Sequence, residues 1–348
     1  MEFLLSYGLF FAKTVTIFII IILIPLVIFS FGQRKQNKKG DLRIIDLSKT
    51  YHERQREIQQ IKMSDSQYKD WLKTYKKQRK IKEKEKKADS KSNQLTTKKS
   101  CFFIINFKGS MNAHEVSALR EEITAILSIA DNNDEVLLKL ESQGGVVHGY
   151  GLAASQLNRL REKGLKLIVS VDKVAASGGY MMACVADYIV AAPFAIIGSI
   201  GVVAQVPNFY RLLKKKDIDV ELHTAGEYKR TLTLFGENTE KGRKKFTQDL
   251  NETHKLFKDF VLQKRPNIDI NTVATGEHWY GIQAKEMGLI DNIGVSDDII
   301  IKKIDIYQII EVTYMPHKRF IDRLMCSIIK NIDDLLIRWW QRGQKKLF

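Results

Sequence analysis

The sequence predicts an α/β fold in which a mostly parallel sheet is covered by helices. Three short and almost wholly apolar segments, at residues 102–107, 136–140 and 166–171, have the length and composition of buried strands. Two longer segments between them, at residues 114–129 and 148–163, carry apolar residues at helical spacing. Strands that alternate with helices in this way are typical of βαβ units, whose helices bury both faces of a parallel sheet.

The same alternation continues further along the chain. A turn leads into a short helix from Gly178, and a further strand is predicted at residues 188–192. Residues 240–262 are predicted to form a long amphipathic helix. We therefore expect one α/β domain over residues 101–312, a length that can bury a substantial core.

The positive charge of the chain lies mainly in one segment before this domain. The 348 residues carry a net charge of +16, and residues 32–99 contain 22 Lys and Arg against 9 Asp and Glu. Nucleic-acid-binding modules usually interleave basic and aromatic residues on a folded scaffold, so no nucleic-acid partner is expected. The favoured interpretation of residues 34–100 is a solvated linker, with anionic lipid as a candidate contact. A sparse apolar stripe predicts helix from residue 46 to about residue 87, followed by a flexible linker at residues 88–99.

An apolar segment near the N-terminus predicts a membrane anchor. Residues 15–31 carry no charge and approach the ~20 residues that span a bilayer, with Pro25 tolerated inside. No small-residue cleavage site follows, so an uncleaved anchor over residues 1–33 is favoured over a signal peptide. Basic residues directly after the segment favour a cytoplasmic location for the rest of the chain, but the whole chain is rich in lysine, so the side stays open.

The last segment, residues 313–348, is predicted to be an amphipathic tail. Apolar residues alternate there with Lys and Arg, and Trp339 is adjacent to Trp340. Such a composition is typical of a membrane interface or a subunit contact, and equally of a helix that packs on its own domain.

Cysteine usage gives no sign of a metal site or a disulfide framework. The cysteines Cys101, Cys184 and Cys326 are odd in number and far apart in the sequence. No Cys/His spacing suggests zinc. We therefore expect neither a metal nor a cofactor.

Three segments rich in Gly and Ser follow predicted strands, where open α/β sheets place their sites. They are residues 141–146 (ESQGGV), 175–180 (AASGGY) and 198–201 (GSIG). Small residues often mark turns for steric reasons alone, so no one of these segments is specific. Together they satisfy the needs of acyl transfer. Ser177 precedes a helix whose N–H groups can hold an oxyanion, and Gly144-Gly145 can supply a second donor.

The base that would activate Ser177 is not evident from composition. His148 is the nearest histidine in sequence, and no aspartate is positioned to orient it. A lysine can serve instead if an apolar pocket lowers its pKa from about 10.4 towards 7–8. Lys229 is one lysine among many, so these residues leave the choice open.

The ordered motifs resemble the signal-peptide-peptidase type of serine protease over residues 101–294. The resemblance also includes Gly226–Lys229 and a later set: Thr275, Gly276, Glu277, Trp279, Gly281, Ala284 and residues 288–291. Several ordered motifs are far more specific than any single one. Gln143 is a departure, because the family often has proline before the Gly-Gly pair; the backbone donors are unaffected.

This resemblance implies a ClpP/crotonase-like superhelix of stacked ββα units, preceded by a transmembrane helix and a charged helical linker. It implies Ser177 as nucleophile, Lys229 as general base and Ser199 as the group that orients the lysine. Gly178, with Gly144 or Gly145, would provide the oxyanion N–H groups.

The resemblance further implies a serine endopeptidase that cleaves hydrophobic, extended peptides such as released signal peptides. A homo-oligomeric ring, a lipid bilayer as partner and a bacterial inner-membrane location belong to the same expectation. Two alternatives remain. One is a crotonase-like acyl-CoA enzyme, in which a membrane anchor and a Ser/Lys pair are not expected. The other is a catalytically inert membrane scaffold with the same fold.

Overall fold

A computed structural model describes residues 40–91 and 100–316, together with helical residues 8, 10–11 and 13–18. Most of the predicted anchor, and the predicted tail after residue 316, lie outside these described residues. Within the described part of the chain, no helix is long and apolar enough to cross a membrane. The chain divides into one unit of residues 42–314 and a second of residues 1–41 and 315–348, and the elements below belong essentially to the first.

Residues 40–91 and 100–316 contain ten strands and ten helices. The strands are β1 (Asp41–Asp46), β2 (Cys101–Gly109), β3 (Glu135–Ser142), β4 (Lys166–Val171), β5 (Val174–Ala176), β6 (Tyr188–Ala191), β7 (Ile196–Gly198), β8 (His278–Tyr280), β9 (Asn292–Ile293) and β10 (Gln308–Met315). The helices are α1 (Leu47–Lys62), α2 (Asp65–Lys91), α3 (Val116–Ile129), α4 (Val147–Glu162), α5 (Gly178–Ala183), α6 (Tyr210–Lys214), α7 (Glu240–Lys264), α8 (Ile270–Val273), α9 (Gly281–Glu286) and α10 (Ser296–Lys303).

The expected α/β fold with a mostly parallel sheet is confirmed. The main strand order is β1-β10-β2-β3-β4-β6-β9, and β10, β2, β3, β4, β6 and β9 pair in parallel. The predicted strands and helices of residues 102–192, and the long helix from residue 240, are all present with small shifts at their ends.

Strand β3 is a branch point that brings two turns together. Its first part pairs with β4, whereas its last residue, Ser142, pairs with Ala175 of β5. Strand β5 also pairs with β7 in parallel, with Ala176 opposite Gly198. The turns that follow β3, β5 and β7 therefore leave the sheet at neighbouring points of the same edge.

The core lies on both faces of the central strands. Side chains alternate in a strand, so Phe103 and Ile105 of β2 belong to a large cluster with α3, α4 and α5, while Phe102 and Ile104 face a smaller cluster on the other side. That smaller cluster includes Ile300 of α10. Burial on both faces explains the continuous apolar composition of these strands.

The segment before the domain differs from its prediction. The single helix expected from residue 46 is preceded by β1 and interrupted, because Met63 is extended (φ −99°, ψ 152°) and separates α1 from α2. Asp46 caps α1 by accepting a hydrogen bond from the N–H of Lys49 at 3.2 Å. Residues 88–91 lie in α2 and not in a linker, because no Gly or Pro interrupts the continuation of the lysine-rich helix before them.

Candidate active site

Ser177 lies on a strained turn between β5 and α5. Its backbone has φ 52° and ψ −120°, a combination that residues with a side chain rarely adopt. The turn is held from both sides, because the Ser177 N–H donates to Gly198 O at 2.7 Å and its carbonyl accepts from the N–H of Met181 at 3.0 Å. The Ser177 hydroxyl does not cap α5. It is left available in a cleft of about 860 Å³ that Ser177 lines.

Gly178, the first residue of α5, presents a free N–H. Its amide has no hydrogen-bond partner among the residues that the structure describes, as expected for the first turn of a helix. A side chain is excluded at this position, because an added Cβ would lie 2.7 Å from Cδ2 of Tyr150. The glycine therefore lets the buried Tyr150 ring pack directly beneath the helix N-terminus.

The Gly144-Gly145 turn touches the Ser177 turn. Gly144 has φ 86°, and an added Cβ would lie 2.7 Å from the Gly178 nitrogen and 2.8 Å from Cβ of Ser177. The two glycines differ in their N–H groups. Gly144 donates to Ser142 Oγ at 3.0 Å, whereas the Gly145 N–H has no partner within the described part of the chain. Only Gly145 of this pair is therefore free to bind an oxyanion.

Ser199 lies in the same cleft, after β7. It is a second residue with positive φ (49°), and its N–H donates to Glu277 O at 2.8 Å. Its hydroxyl donates to Gly276 O at 3.3 Å. The later motif at residues 275–277 thus holds the Ser199 turn, which accounts for two sequence signals far apart in the chain.

Lys229 is the predicted site residue that the structure does not bring to the cleft. It lies in an exposed segment between α6 and α7, where its N–H donates to Gly226 O at 3.2 Å. The neighbouring Glu227 forms an ion pair with Lys241 of α7. Ser177, Ser199 and the Gly144-Gly145 turn are brought together, and Lys229 is not among the residues that line their cleft.

A histidine that the sequence analysis overlooked lines the cleft. His254 of α7 places its Nε2 at 3.1 Å from Ile200 O, while His148 is exposed on α4 and lies outside the lining. Because a carbonyl only accepts, Nε2 carries the proton in the neutral ring and Nδ1 is left as an acceptor. His254 precedes the buried Phe257 and Val261 by three and seven residues, so its place on the buried stripe of α7 was the signal that would have identified it.

The cleft is lined by both apolar and charged side chains. The apolar lining consists of Met111, Val146, Val147, Val174, Val202 and Val203. Of the charged lining residues, Glu141 accepts from Lys108 at 3.0 Å, and it also accepts from Lys173 at 3.1 Å. These two hydrogen bonds lower the pKa of Glu141, so it stays ionised.

The cysteine nearest to the Ser177 helix is chemically inert. Cys184 follows α5 and is completely buried. Burial raises its pKa to about 12, and a thiol that stays protonated is a poor nucleophile. Cys184 is therefore a poor candidate for the nucleophile of this region.

A serine on a strained turn, beside backbone N–H groups that have no partner in the described residues, is an arrangement that suits acyl transfer. The comparisons specify the class: the chain belongs to peptidase family S49. Residues 2–157 match Peptidase family S49 N-terminal, and residues 159–306 match Peptidase family S49. The family expected from the sequence motifs is confirmed, and protease activity follows as the chemistry of the class.

Particular relatives cover nearly the whole chain. It is 52% identical to the probable protease SohB of Haemophilus influenzae over 327 residues, which are 92% of each chain. It is also 52% identical to the probable protease SohB of Buchnera aphidicola subsp. Schizaphis graminum over 339 residues, 97% of this chain and 98% of the relative. Among solved structures, the chain is similar to the 1510-N membrane-bound stomatin-specific protease, a lysine-to-alanine mutant in complex with a substrate peptide. The match covers 66% of this chain and 98% of the other, with a TM-score of 0.42 and 13% sequence identity.

Proposed function

We propose that this chain is a membrane-anchored serine endopeptidase that hydrolyses hydrophobic peptides through a Ser–Lys dyad. The observation that carries the proposal is the Ser177 turn, which has a positive φ. Within the described residues, neither the Ser177 hydroxyl nor the adjacent N–H groups of Gly178 and Gly145 have a hydrogen-bond partner. Backbone strain of this kind is retained where the surrounding structure holds it, and it concentrates at active sites.

The chemistry starts with attack by Ser177 Oγ on a peptide carbonyl carbon. The new C–O bond forms as the hydroxyl proton passes to the neutral amine of Lys229, and the carbonyl oxygen becomes an oxyanion. Gly178 and Gly145 donate their N–H groups to that oxyanion. The C–N bond then breaks, and Lys229 returns the proton to the leaving amine. Water, deprotonated by Lys229, hydrolyses the acyl-enzyme and releases Ser177.

This mechanism requires the Lys229 segment to reach the cleft. A lysine acts as a base only when it is withdrawn from water, and Lys229 is exposed in this structure. Ser199, which lies in the cleft, would then hold the amine in position. Apolar side chains of the same region are also exposed: Val203, Leu212, Ile218, Leu222 and Phe235. We propose that a second copy of the chain covers them, which makes the active form a homo-oligomer.

The remaining expectations belong to this proposal. The apolar residues 15–31 support an anchor in the bacterial inner membrane. The branched pairing of β3 with β4 and β5 supports a ClpP/crotonase-like stack of ββα units. The apolar lining of the cleft supports hydrophobic peptides, such as signal-peptide remnants or segments of membrane-associated proteins, as substrates.

One observation favours the second candidate, an inert membrane scaffold. Lys229 lies outside the cleft that Ser177 lines, so the dyad is not assembled in the chain as described. If the Lys229 segment never reached the cleft, a protein of this fold would have no base for Ser177, and its exposed apolar surface would serve only for binding.

The test uses the purified full-length chain in detergent and a hydrophobic fluorogenic peptide. We expect Ser177→Ala and Lys229→Ala to lower kcat at least ~10³-fold, the scale of removing one member of a nucleophile–base unit. His148→Ala, on an exposed helix surface, is the matched control and should retain activity. Full activity in Ser177→Ala would reject the serine mechanism. Loss in His254→Gln with retention in Lys229→Ala would replace the lysine by a histidine. No activity in a folded, assembled parent would favour the scaffold.

A further inference from the structure

A buried chain of hydrogen bonds runs from the Gly144-Gly145 turn into the domain. The Gly144 N–H donates to Ser142 Oγ at 3.0 Å, and Ser142 Oγ lies 2.6 Å from the Tyr150 hydroxyl. The Tyr150 hydroxyl donates to Ser110 O at 2.8 Å. Tyr150 is fully buried and Ser142 is 2% exposed, so water does not compete for these groups.

The direction of every proton in this chain is fixed. A tyrosine hydroxyl has one proton, and Tyr150 gives it to the Ser110 carbonyl, which can only accept. Ser142 must therefore donate to Tyr150, and its oxygen is left to accept from Gly144. The three bonds form one directed relay, Gly144 to Ser142 to Tyr150 to Ser110, in which no proton has an alternative position.

Close packing leaves the relay little room to move. An added Cβ on Gly109 would lie 2.7 Å from Ser142 Oγ and closer still to the Tyr150 hydroxyl. On the far side, the Tyr150 ring packs under Gly178. Tyr150 is thus linked to both halves of the oxyanion site: its hydroxyl reaches the glycine turn through Ser142, and its ring packs against the helix N-terminus.

The other end of the turn is attached to the same loop. The Val146 N–H donates to Met111 O at 2.9 Å, and the Gly145 backbone lies directly against that carbonyl. Residues 110–111 therefore hold the turn at two points, through the relay at Gly144 and directly at Val146. Between these two attachments the Gly145 N–H is the amide left without a partner in the described residues.

We propose that Ser142 and Tyr150 are positioning residues for peptide hydrolysis: their relay occupies the Gly144 N–H and aims the Gly145 N–H at the oxyanion. This inference rests on the proposed serine peptidase function. A preorganised donor stabilises charge only when it is held at hydrogen-bonding distance from the developing oxyanion, and small displacements cost activity steeply. Tyr150 is not among the residues that line the cleft, and Ser142 acts through its bonds to the Gly144 N–H and the Tyr150 hydroxyl.

The test compares Tyr150→Phe with Tyr307→Phe in the full-length chain. Tyr307 packs against the smaller core cluster on the other face of the sheet, and its hydroxyl donates to Glu135 Oε1 at 3.0 Å, so its variant loses one tyrosine hydrogen bond far from the turn. We expect Tyr150→Phe to lower kcat ~10–100-fold per titrated active site with KM changed less than ~2-fold. The Ki of a peptide aldehyde, which forms an oxyanion on Ser177, should rise by the same factor. Tyr307→Phe should stay within ~2-fold of the parent in all three constants.

Two further measurements separate positioning from general damage. Ser142→Ala should reduce kcat to a similar extent, and the double variant should be no worse than either single one, because both changes break the same relay. Hydrogen exchange of residues 141–149, measured by mass spectrometry, should accelerate in both single variants and not in Tyr307→Phe.

The outcomes distinguish the proposed role of the relay from the proposed serine peptidase function on which it rests. Parent activity that persists in Ser177→Ala would reject the serine peptidase itself. Activity that disappears in Ser177→Ala but keeps its full kcat in Tyr150→Phe would reject the relay alone. Unchanged exchange of residues 141–149, or additive losses in the double variant, would also overturn it.

Discussion

Replacing Gly144 by alanine should damage stability and activity together. The residue has φ 86°, where a side chain costs about 1–2 kcal/mol. The added Cβ would also lie 2.7 Å from the Gly178 nitrogen, 2.8 Å from Ala176 O and 2.8 Å from Cβ of Ser177. These atoms belong to the strained turn and cannot rotate away, so overpacking adds about 1–3 kcal/mol. We expect Gly144→Ala to lower the free energy of unfolding by about 2–5 kcal/mol.

The same displacement separates the two oxyanion donors. The glycine turn can relieve the overlap only by moving away from Ser177 and Gly178, which carries the Gly145 N–H with it. A donor displaced by about 1 Å costs roughly 10²-fold in rate. We therefore expect at least a 10²-fold fall in kcat/KM on the hydrophobic peptide, measured on protein shown to be folded by circular dichroism.

Gly164→Ala is the matched control for backbone strain. Gly164 has nearly the same φ (85°) between α4 and β4, but the nearest atom to its added Cβ is Asn132 Oδ1 at 3.9 Å. This variant should lose only the stability that backbone strain costs, about 1–2 kcal/mol, and it should retain full activity. Urea unfolding of both variants measures the difference. Equal destabilisation of the two, with full activity in Gly144→Ala, would refute the packing argument.

Two other predictions concern buried charges. Glu122 is 4% exposed, and burial raises its pKa to about 7 although the Tyr314 N–H donates to it. Because the folded pKa lies above the unfolded value, this group stabilises the fold fully below about pH 4.5, and the contribution is lost as the pH rises through about 7. Urea unfolding should show up to about 3 kcal/mol less stability at pH 8 than at pH 4.5 because of this group. Glu122→Gln should remove this pH dependence of the free energy of unfolding, and an unchanged pH dependence would contradict its assignment to Glu122. Arg265 binds Asp291 through two hydrogen bonds of 3.0 and 2.9 Å in a half-buried position. Asp291→Asn should lower the free energy of unfolding by about 2–3 kcal/mol without changing kcat, and a loss below ~0.5 kcal/mol would mean that water replaces the pair.

The sequence by itself determined the fold class and the order of the central elements. Continuous apolar strands such as residues 102–107 can be buried only in a sheet covered on both faces, so the parallel sheet followed from composition and period. Strand β1 was missed, because a six-residue strand with exposed Leu42 and Ile44 has no recognisable pattern until its partner β10 is in place. The break at Met63 was missed for a related reason, since no Gly or Pro marks it.

The sequence also identified Ser177, Ser199 and the two glycine turns as one group, because each follows a strand of a parallel sheet. The sequence could not show which individual backbone N–H groups are hydrogen-bonded and which are free. Gly144 and Gly145 are adjacent and chemically identical, yet only the fold puts Ser142 under one N–H and leaves the other free.

Tertiary structure alone decided which polar side chains share the cleft. His254 comes to it from a helix about 75 residues after Ser177, and Tyr150 reaches the glycine turn from inside the core. Lys229 is matched by motif but lies on an exposed segment. The spacing of apolar residues shows which face of a helix or strand is buried, because the buried face is the one that carries them. Hydrogen-bond partners and distances between distant segments depend on how the elements pack, and that information appears only when the chain is folded.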